Sequence, residues 1–277
     1  MAKIDRLGWA DGMSFSSFGV RVGVRVNDPS RLKLVGERLP PGSKLASYKR
    51  VDHLYSIIAG DTKIDAKIRR FSLAYWNLIR IARSRSFDDV LDAFESHVQL
   101  TVAEHAPGRI FVHAGVVGWE GQAILIPGLS HSGKTTLVDR LIRAGATYYS
   151  DEYAILDKEG RVHPYARPLG IRNSASSKAE KVAPDSVGAQ IGSKPLRIGL
   201  VVSTKYREAA RWRPRQLSRG EGVLELMANT VSARSQPELA LVVLPKALKS
   251  ARIFKGARGE ATDVAHLILQ KISEARA

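Results

Sequence analysis

The sequence contains no cysteine, which excludes disulfide bonds, cysteine metal ligands and a cysteine nucleophile. It also lacks a long apolar run: a membrane-spanning helix needs about 20 apolar residues, and the run LALVVLP near the end is far shorter. The first residues, MAKIDRLGWADGMS, do not have the apolar core of a signal peptide. We therefore expect a cytoplasmic protein with no membrane partner.

Acidic residues are scarce relative to basic ones. The chain has 43 Lys and Arg residues against 27 Asp and Glu residues, which gives a formal net charge of +16. Such a surplus attracts anions in general, whether nucleic acid, a membrane surface, a nucleotide or an acidic peptide. The basic residues are spread along the chain and do not form one tail, which favours a solvated surface over a nucleic-acid partner.

Residues 1–105 are predicted to form a smaller α+β accessory region. The stretch FGVRVGVRV alternates apolar and polar residues, which is typical of a half-buried strand, whereas FSLAYWNLI fits either a strand or a short helix. The stretch SFDDVLDAFESHVQLTVAEHA predicts a helix, because Ser86 and Asp89 fit a capping box. The turn APG then marks the boundary. One face of this helix is apolar and carries Phe87, Val90, Leu91, Phe94, Val98 and Val102.

Residues 106–277 alternate strand and helix patterns, which predicts an α/β fold with helices packed against a sheet. The strands RIFVHAGVV and GQAILIPG are predicted to join through a tight hairpin at Glu120 and Gly121. A helix is predicted from Lys134 to Ala144, with Gly145 as its C-terminal cap. Downstream, strands are predicted for ATYYSDEYAILD, LRIGLVVSTKY, LALVVLP and ARIFKG, and helices for GEGVLELMANTVSA and ATDVAHLILQKI.

The segment GLSHSGKTT, between a predicted strand and a predicted helix, fits the phosphate-loop pattern G-x-x-x-x-G-K-[ST]. Glycines let the chain curl so that N–H groups point at phosphate oxygens, and the following helix offers unpaired N–H groups and a positive dipole end. Lys134 adds a charge toward the β- and γ-phosphates, and the Thr135 hydroxyl can bind Mg²⁺. The alternative is a glycine-rich turn that binds nothing. The predicted nucleotide-binding residues are Gly128, Ser130, His131, Ser132, Gly133, Lys134, Thr135 and Thr136.

Phosphoryl transfer also needs carboxylates near the terminal phosphate. Asp151 and Glu152 lie at the end of the next predicted strand, and the carboxyl ends of neighbouring parallel strands meet at the edge where ligands bind. An Asp-Glu pair can also be a solvated turn, but the phosphate loop just upstream favours a functional role. His113 lies on the strand before the hairpin, where a lone histidine is more often structural than catalytic.

Two basic segments each have more than one interpretation. In ARPLGIR, Arg167 and Arg172 could neutralise transition-state charge or form surface salt bridges. In KYREAARWRPRQLSR, the arginines and Trp212 could dock a phosphate or an acidic peptide, stack on nucleotide bases, or form a solvated loop. The sequence leaves these alternatives open.

From His113 to Arg172 the chain resembles the catalytic domain of HPr kinase/phosphorylase, and most of all the smaller HPr-kinase-like proteins of bacteria. The resemblance rests on HAGVV, on AILIPGLSHSGKTTL, on a helix that ends in RAG and on a strand that ends in SDE. The loop GLSHSGKTTL also resembles that of the phosphoenolpyruvate carboxykinases, whose fold is related, but their accompanying motifs are missing. The resemblance implies a P-loop kinase domain with a mixed sheet and flanking helices.

The resemblance also implies roles for individual residues, with ATP and Mg²⁺ as cofactors. Lys134 would hold the β- and γ-phosphates, and Thr135 would hold the metal. Asp151 would take the proton from an attacking serine hydroxyl, with His113 close to that acid. Glu152 stands where the family has a second aspartate that assists with metal. The family's acid in the PLGIR segment and its longer second signature are missing, so the resemblance does not extend to phosphorolysis or to HPr as the acceptor.

These observations predict an ATP- and Mg²⁺-dependent serine kinase whose partners are a nucleotide and a protein or peptide phosphoacceptor. A second hypothesis, favoured by Glu152 and by the missing downstream acid, is a non-catalytic ATP-binding sensor of the same fold. A third hypothesis, nucleic-acid binding, rests on charge alone. The sequence does not determine the oligomeric state, and a homo-oligomer is compatible with it.

Overall fold

A computed structural model of the chain describes residues 3–60, 71–128, 132–171 and 180–274. The chain divides into two compact units, residues 1–107 and 108–277. Each unit contains a mixed sheet with flanking helices, so the fold is α/β. None of the helices in the described part of the chain is long and apolar enough to cross a bilayer.

The first unit is a six-stranded sheet with a long helix against it. The strand order is β3-β1-β2-β4-β5-β6, and only the β2–β4 pair is parallel in this sheet. The elements are β1 (Asp11–Ser17), β2 (Val20–Val26), α1 (Leu32–Gly36), β3 (Lys44–Leu45), β4 (His53–Ile58), β5 (Ser72–Trp76), β6 (Ile79–Ser84) and α2 (Phe87–His105).

Helix α2 forms where the sequence predicts it. The Ser86 hydroxyl accepts a hydrogen bond from the Asp89 N–H at 3.3 Å, which caps the first turn. The six apolar residues predicted for one face are all buried, so the helical periodicity is confirmed. The ambiguous stretch FSLAYWNLI supplies β5 and the start of β6, which settles it as strand.

The second unit is built on an eight-stranded sheet. Its order is β11-β10-β7-β8-β14-β16-β15, with β9 paired to β7, and a separate ribbon is formed by β12 and β13. The elements are β7 (Ile110–Trp119), β8 (Gln122–Pro127), α3 (Lys134–Arg143), β9 (Thr147–Ser150), β10 (Tyr153–Leu156), β11 (Val162–His163), β12 (Leu169–Ile171), β13 (Glu180–Val182), β14 (Arg197–Tyr206), β15 (Arg215–Gln216), α4 (Arg219–Met227), α5 (Pro237–Ala247), β16 (Arg252–Arg258) and α6 (Ala261–Ser273).

Strand direction brings several strand ends to one edge of this sheet. β8, β14 and β16 are parallel neighbours. β8 and β9 are both antiparallel to β7, so they run in the same direction. The predicted hairpin between β7 and β8 is confirmed, because Trp119 pairs with Gln122 and the two residues between them have positive φ, 47° at Glu120 and 75° at Gly121. The carboxyl ends of β8, β9, β14 and β16 therefore lie at the same edge.

Helices cover both faces of the sheet. Along β8, Leu125 packs in the cluster that contains α4 and α5, whereas Ile124 and Ile126 pack in the cluster that contains α3 and α6. This alternation follows from the two-residue period of a strand. Close packing of α3 on β7 depends on Gly115, where an added Cβ would lie 2.5 Å from Val138 Cγ2. The sheet is thus the central layer that carries the site at its edge.

One predicted element is wrong. The run LALVVLP, expected to be a strand, lies within helix α5. Short apolar runs do not distinguish a buried strand from a buried helix by periodicity alone. The helix begins with Pro237, which tolerates the first helical position. Its buried residues, spaced as a helical stripe, are Ala240, Val243, Leu244 and Ala247.

Candidate functional site

The predicted phosphate loop connects the end of β8 to the start of α3. Gly128 follows β8, and its N–H donates a hydrogen bond to the His113 carbonyl oxygen at 3.1 Å. Ser132 and Gly133 lead into α3. The predicted residues Ser130 and His131 lie outside the described residues. The described parts of the loop are therefore anchored to β7 on one side and to a helix start on the other.

The first turn of α3 is open to an anion. None of the described side chains caps this helix, whose N-cap is Gly133. Gly133 has φ 82° and ψ 17°, a left-handed conformation, and an added Cβ would lie 2.6 Å from Arg258 Nη2. Lys134, Thr135 and Thr136 are the first three residues of the helix. Their end of the helix carries the N–H groups and the positive dipole end that favour a phosphate.

Asp151 lies beside this first turn, in the link between β9 and β10. Its Oδ2 accepts hydrogen bonds from Thr135 Oγ1 at 3.3 Å and from the Gly170 N–H at 3.4 Å. Its Oδ1 accepts one from Tyr148 Oη at 3.0 Å. The residue is 7% exposed. The structure thus holds the Asp151 carboxylate in one orientation against the start of α3.

Tyr148 was not among the site residues predicted from the sequence. Its hydroxyl also lies 3.0 Å from the Arg167 carbonyl oxygen, so its single hydrogen is shared between that oxygen and Asp151. Burial, followed by the negative charge of Asp151, raises the pKa of Tyr148 far above its usual value. Tyr148 therefore remains a hydrogen-bond donor at any pH relevant to the protein. Its position three residues before the acid is the only signal that the sequence offers.

Lys134 lies within electrostatic range of both acids. Burial lowers the pKa of Lys134, while the charges of Glu152 and Asp151 oppose that shift. Both acids are close enough to favour the ammonium form, so the structure brings together the lysine and the two carboxylates that the sequence predicts for the site.

Glu152 is held by its backbone and by an arginine. Its carbonyl oxygen accepts a hydrogen bond from the Ala114 N–H at 3.1 Å, and its Oε2 lies 3.8 Å from Arg167 Nη1. Burial raises the pKa of Glu152, Asp151 raises it further, and Arg167 and Lys134 lower it. The ion pair with Arg167 joins that arginine to the site. Arg172, the other arginine of this segment, lies outside the described residues.

His113 sits on β7 next to the loop. Its backbone N–H donates a hydrogen bond to the Asn229 carbonyl oxygen at 2.7 Å. Its imidazole ring lies 4.9 Å from the Tyr153 ring, measured between the ring centroids. Burial lowers the pKa of His113, and the positive charge of Lys134 lowers it further. The imidazole is therefore neutral near pH 7 and close to Lys134. Within the described ranges it makes no hydrogen bond to Asp151.

A buried arginine from the far end of the sequence completes the site. Arg258, at the end of β16, is 2% exposed. Its Nη2 donates to the Gly133 carbonyl oxygen and its Nη1 to the Gly259 carbonyl oxygen, both at 2.9 Å. Its Nε has no hydrogen-bond partner in the described part of the chain. Burial lowers the pKa of Arg258, which the nearby Glu260 and Tyr206 oppose. The arginine thus lies at the phosphate loop, and its Nε–H group can still donate a hydrogen bond.

Two buried polar atoms near the loop fit an anionic ligand. Arg258 Nε and Ser132 Oγ have no partner among the residues that the structure describes. Buried polar groups in proteins nearly always have a partner, and phosphate oxygens at the loop would supply one. Trp212, for which base stacking was one of the alternatives, is half-buried and packs against the core cluster that contains α3 and α6.

Magnesium also fits these residues. No group of three or more His, Cys, Asp or Glu side chains forms a metal site within the described ranges. Mg²⁺ bound to nucleotides commonly uses only one or two carboxylates together with phosphate oxygens and water. Thr135 Oγ1, Asp151 and Glu152 supply oxygen ligands of that kind at the start of α3. Comparison of the sequence with known protein families and with curated proteins finds no match to either.

Proposed function

We propose that this protein is an ATP- and Mg²⁺-dependent phosphotransferase of the HPr-kinase-like type. It would transfer the γ-phosphoryl group to a serine hydroxyl of a protein or peptide. The observation that carries the proposal is the hydrogen bond between Thr135 and Asp151, because it joins the open helix start after a phosphate-loop sequence to a buried carboxylate. The sequence resemblance from His113 to Arg172 supports the same activity.

The basic groups of the site bind the phosphates in this proposal. The N–H groups at the start of α3, Lys134 and Arg258 offset the negative charge that a triphosphate brings into a half-buried site. When bound, Mg²⁺ would supply positive charge that offsets the charge of the phosphates further. Thr135 Oγ1 and the carboxylate of Glu152 would hold the metal.

Asp151 acts on the acceptor in this proposal. Tyr148 donates to Oδ1 of its carboxylate, and Gly170 and Thr135 donate to Oδ2, which leaves a lone pair of Oδ1 for an incoming hydroxyl. As the serine oxygen forms its bond to the γ-phosphorus, its proton passes to Asp151 and the bond to the β-phosphate oxygen breaks, releasing ADP. Catalysis of this kind consists mostly of placement and electrostatic stabilisation. The catalytic role predicted for His113 stays a prediction.

Transfer from γ-labelled ATP to proteins of a cell extract tests the proposal. Asp151→Asn should bind ATP normally but lose transfer by at least about 100-fold, the scale for removing a positioned base. Lys134→Ala should instead lose ATP affinity. Asp263→Asn, an exposed aspartate in the first turn of α6, is the matched control and should behave like the wild type. Normal transfer by Asp151→Asn would show that the assignment of the base is wrong.

A second candidate is a nucleotide-responsive binding protein without transferase activity. The ion pair between Glu152 and Arg167 favours it, because a carboxylate held by an arginine is less free to bind a metal. The same assay separates the two candidates. ATP binding by calorimetry without any labelled product would favour the sensor, and a labelled serine would favour the kinase.

A further inference from the structure

A cleft of about 640 Å³ opens beside the phosphate loop, at the carboxyl ends of β8, β14 and β16. Gly128 and Ser132 form one wall, and the ends of β14 and β16 form the floor. This volume lies within the range of about 300–1,000 Å³ that is typical of small-molecule sites. Neither acid of the site lines the cleft, whereas Ser203–Tyr206 and Lys255–Ala257, from β14 and β16, make up most of its lining.

Sheet order gives a bound nucleotide a direction. β7 lies on one side of β8, and Asp151 and Glu152 follow β9, which pairs with β7. β14 and β16 lie on the other side and run parallel to β8, so their ends meet the same edge. If the terminal phosphate faces Asp151, the rest of the nucleotide extends across β8 in the opposite direction. That direction leads into the cleft.

A carboxylate forms the polar wall of the cleft. Glu225, from α4, accepts a hydrogen bond from Ser203 Oγ at 2.8 Å on Oε2 and forms an ion pair with Lys255 through Oε1. Burial opposes ionisation, but the hydrogen bonds from Lys255 and Ser203 outweigh it, so the pKa of Glu225 lies below its usual value. Each carboxylate oxygen keeps a lone pair. An ionised carboxylate held in this way accepts hydrogen bonds from two adjacent hydroxyls.

One aromatic side chain also lines the cleft. Tyr206, at the end of β14, lines the cleft and is 44% exposed. Its hydroxyl donates to Glu260 Oε1 at 2.8 Å, and the Arg258 guanidinium lies 5.7 Å from its ring centroid. These contacts hold the ring at the border between the cleft and the loop. A flat apolar surface beside a hydroxyl acceptor suits a nucleoside.

We propose that the cleft binds the ribonucleoside half of the donor nucleotide and that Glu225 accepts hydrogen bonds from its ribose hydroxyls. This inference rests on the proposed function, because it uses the direction of the triphosphate. A phosphoacceptor is the rival occupant of the cleft. It is disfavoured because an acceptor hydroxyl must reach Asp151, which lies on the other side of β8.

Calorimetry with three ligands tests the inference: Mg·ATP, Mg·2′,3′-dideoxy-ATP and inorganic tripolyphosphate. The wild type should bind ATP at least about 10-fold more tightly than the dideoxy compound, which is the scale for hydrogen bonds to a charged acceptor. Glu225→Gln should reduce this discrimination to about twofold or less, and its affinity for tripolyphosphate should not change. Glu238→Gln, an exposed glutamate in the first turn of α5, is the matched control and should retain the discrimination.

The outcomes separate the cleft from the loop. If wild-type protein binds tripolyphosphate and binds both nucleotides equally well, the nucleoside site is refuted while the phosphate loop stands. The assignment would also be overturned if Glu225→Gln lost affinity for tripolyphosphate by the same factor as for ATP, because Glu225 would then act through the loop. If the wild type binds none of the three ligands, both the inference and the proposed function fail. The comparison of ATP with dideoxy-ATP uses the wild-type protein alone. It therefore tests the inference even if Glu225→Gln does not fold.

Discussion

Each unit of this protein buries a polar cluster, and the two clusters differ in how they are satisfied. We call the first the histidine cluster; it consists of His53, Tyr55, Trp76, His97 and Thr101. We call the second the loop cluster; it consists of Lys134, Tyr148, Asp151, Glu152 and Arg258. Both combine a buried tyrosine with titratable neighbours, so composition alone does not distinguish them.

The histidine cluster is closed by its own hydrogen bonds. Tyr55 Oη lies 2.8 Å from both His97 Nδ1 and Thr101 Oγ1. Trp76 Nε1 donates to His53 Nδ1 at 3.2 Å. A chain from the Thr101 hydroxyl to the Tyr55 hydroxyl to His97 matches each donor with an acceptor, provided that the imidazoles are neutral. Burial lowers the pKa of both His53 and His97, in agreement with that state.

The loop cluster is not closed. It holds two cations and two carboxylates, and Arg258 Nε has no partner among the described residues. Burying charged groups is costly unless hydrogen bonds and counter-charges offset the cost. A cluster whose side chains hydrogen-bond to one another, like the histidine cluster, stabilises the fold. A cluster that has buried charges and a donor without a partner in the described part of the chain, like the loop cluster, is suited to bind a ligand that supplies the missing hydrogen-bond acceptor and counter-charge.

Among the variants that test the difference between the two clusters, Arg258→Met should have the largest effect on ligand binding. Removing the guanidinium should weaken the binding of ATP and of tripolyphosphate by about 10- to 100-fold, because hydrogen bonds to charged groups contribute about 1.5–3 kcal/mol. The ligand-free protein should keep its thermal stability, since an apolar side chain replaces a buried charge. Calorimetry and thermal melts measure both quantities, and the exposed Arg234→Met is the control. Unchanged affinity together with a large loss of stability would make Arg258 a structural residue.

Tyr55→Phe tests the closed cluster. Loss of its hydroxyl removes two hydrogen bonds of 2.8 Å and leaves His97 and Thr101 only their mutual contact at 3.3 Å, which should reduce the free energy of unfolding by about 1–3 kcal/mol. ATP affinity should not change. Chemical denaturation measures the first quantity, with Tyr75→Phe on the neighbouring strand β5 as the control. An effect on ATP binding equal to the effect on stability would end the distinction between the clusters.

Tyr148→Phe makes the matching change in the loop cluster. The variant should reduce phosphoryl transfer by about 10-fold, the value of one hydrogen bond to a carboxylate, because Asp151 loses the donor that orients it. ATP affinity should stay within about twofold of the wild type. Tyr149→Phe is the control, since that hydroxyl donates to the Lys194 carbonyl oxygen at 2.8 Å, away from Asp151. Equal rates for the two variants would remove Tyr148 from the proposed mechanism.

Much of the fold follows from local patterns in the sequence. The apolar face of α2 and the hairpin between β7 and β8 were both predicted, because side-chain period and turn residues are local properties. The strand predicted for LALVVLP was wrong, because an apolar run of that length fits a buried helix equally well. Strand order depends on pairings between segments that are distant in the sequence, so a pattern within one segment does not predict it.

The candidate site divides in the same way. The residues that lie close together in the sequence, Lys134, Thr135 and Asp151, were identified because the loop and the following strand form one continuous stretch. Arg258 and Glu225 were missed. Arg258 lies 125 positions from its partner Gly133, and Glu225 lines a cleft with Ser132, which is more than 90 positions earlier in the sequence. The parallel pairing of β8, β14 and β16 brings these distant segments to one edge of the sheet. Arginine and glutamate are common residue types, so the sequence alone does not mark Arg258 or Glu225 as part of the site.

The smallest predicted effect is the pH dependence of the histidine cluster. Burial lowers the pKa of His53, and His105 and His97 lower it further, while Asp52 and Glu104 oppose the shift. Burial likewise lowers the pKa of His97, which Glu104 opposes. Below the usual histidine pKa of 6.5, the unfolded chain therefore binds more protons than the folded one. Stability should be complete above about pH 6.5 and should fall as the pH decreases, by at most about 1.4 kcal/mol per pH unit for each histidine.

Denaturation of the ligand-free protein at several pH values between about 5 and 8 measures this slope. His97→Gln removes one titrating group and keeps an acceptor for the Tyr55 hydroxyl, so its stability should depend less on pH over the same range. His266→Gln, an exposed histidine on α6, is the control and should keep the wild-type slope. Because other groups titrate in both variants, the difference between the two slopes isolates His97. Identical slopes would mean that His97 binds its proton equally well in the folded and unfolded chain, and the closed cluster would then tolerate charge as the loop cluster does.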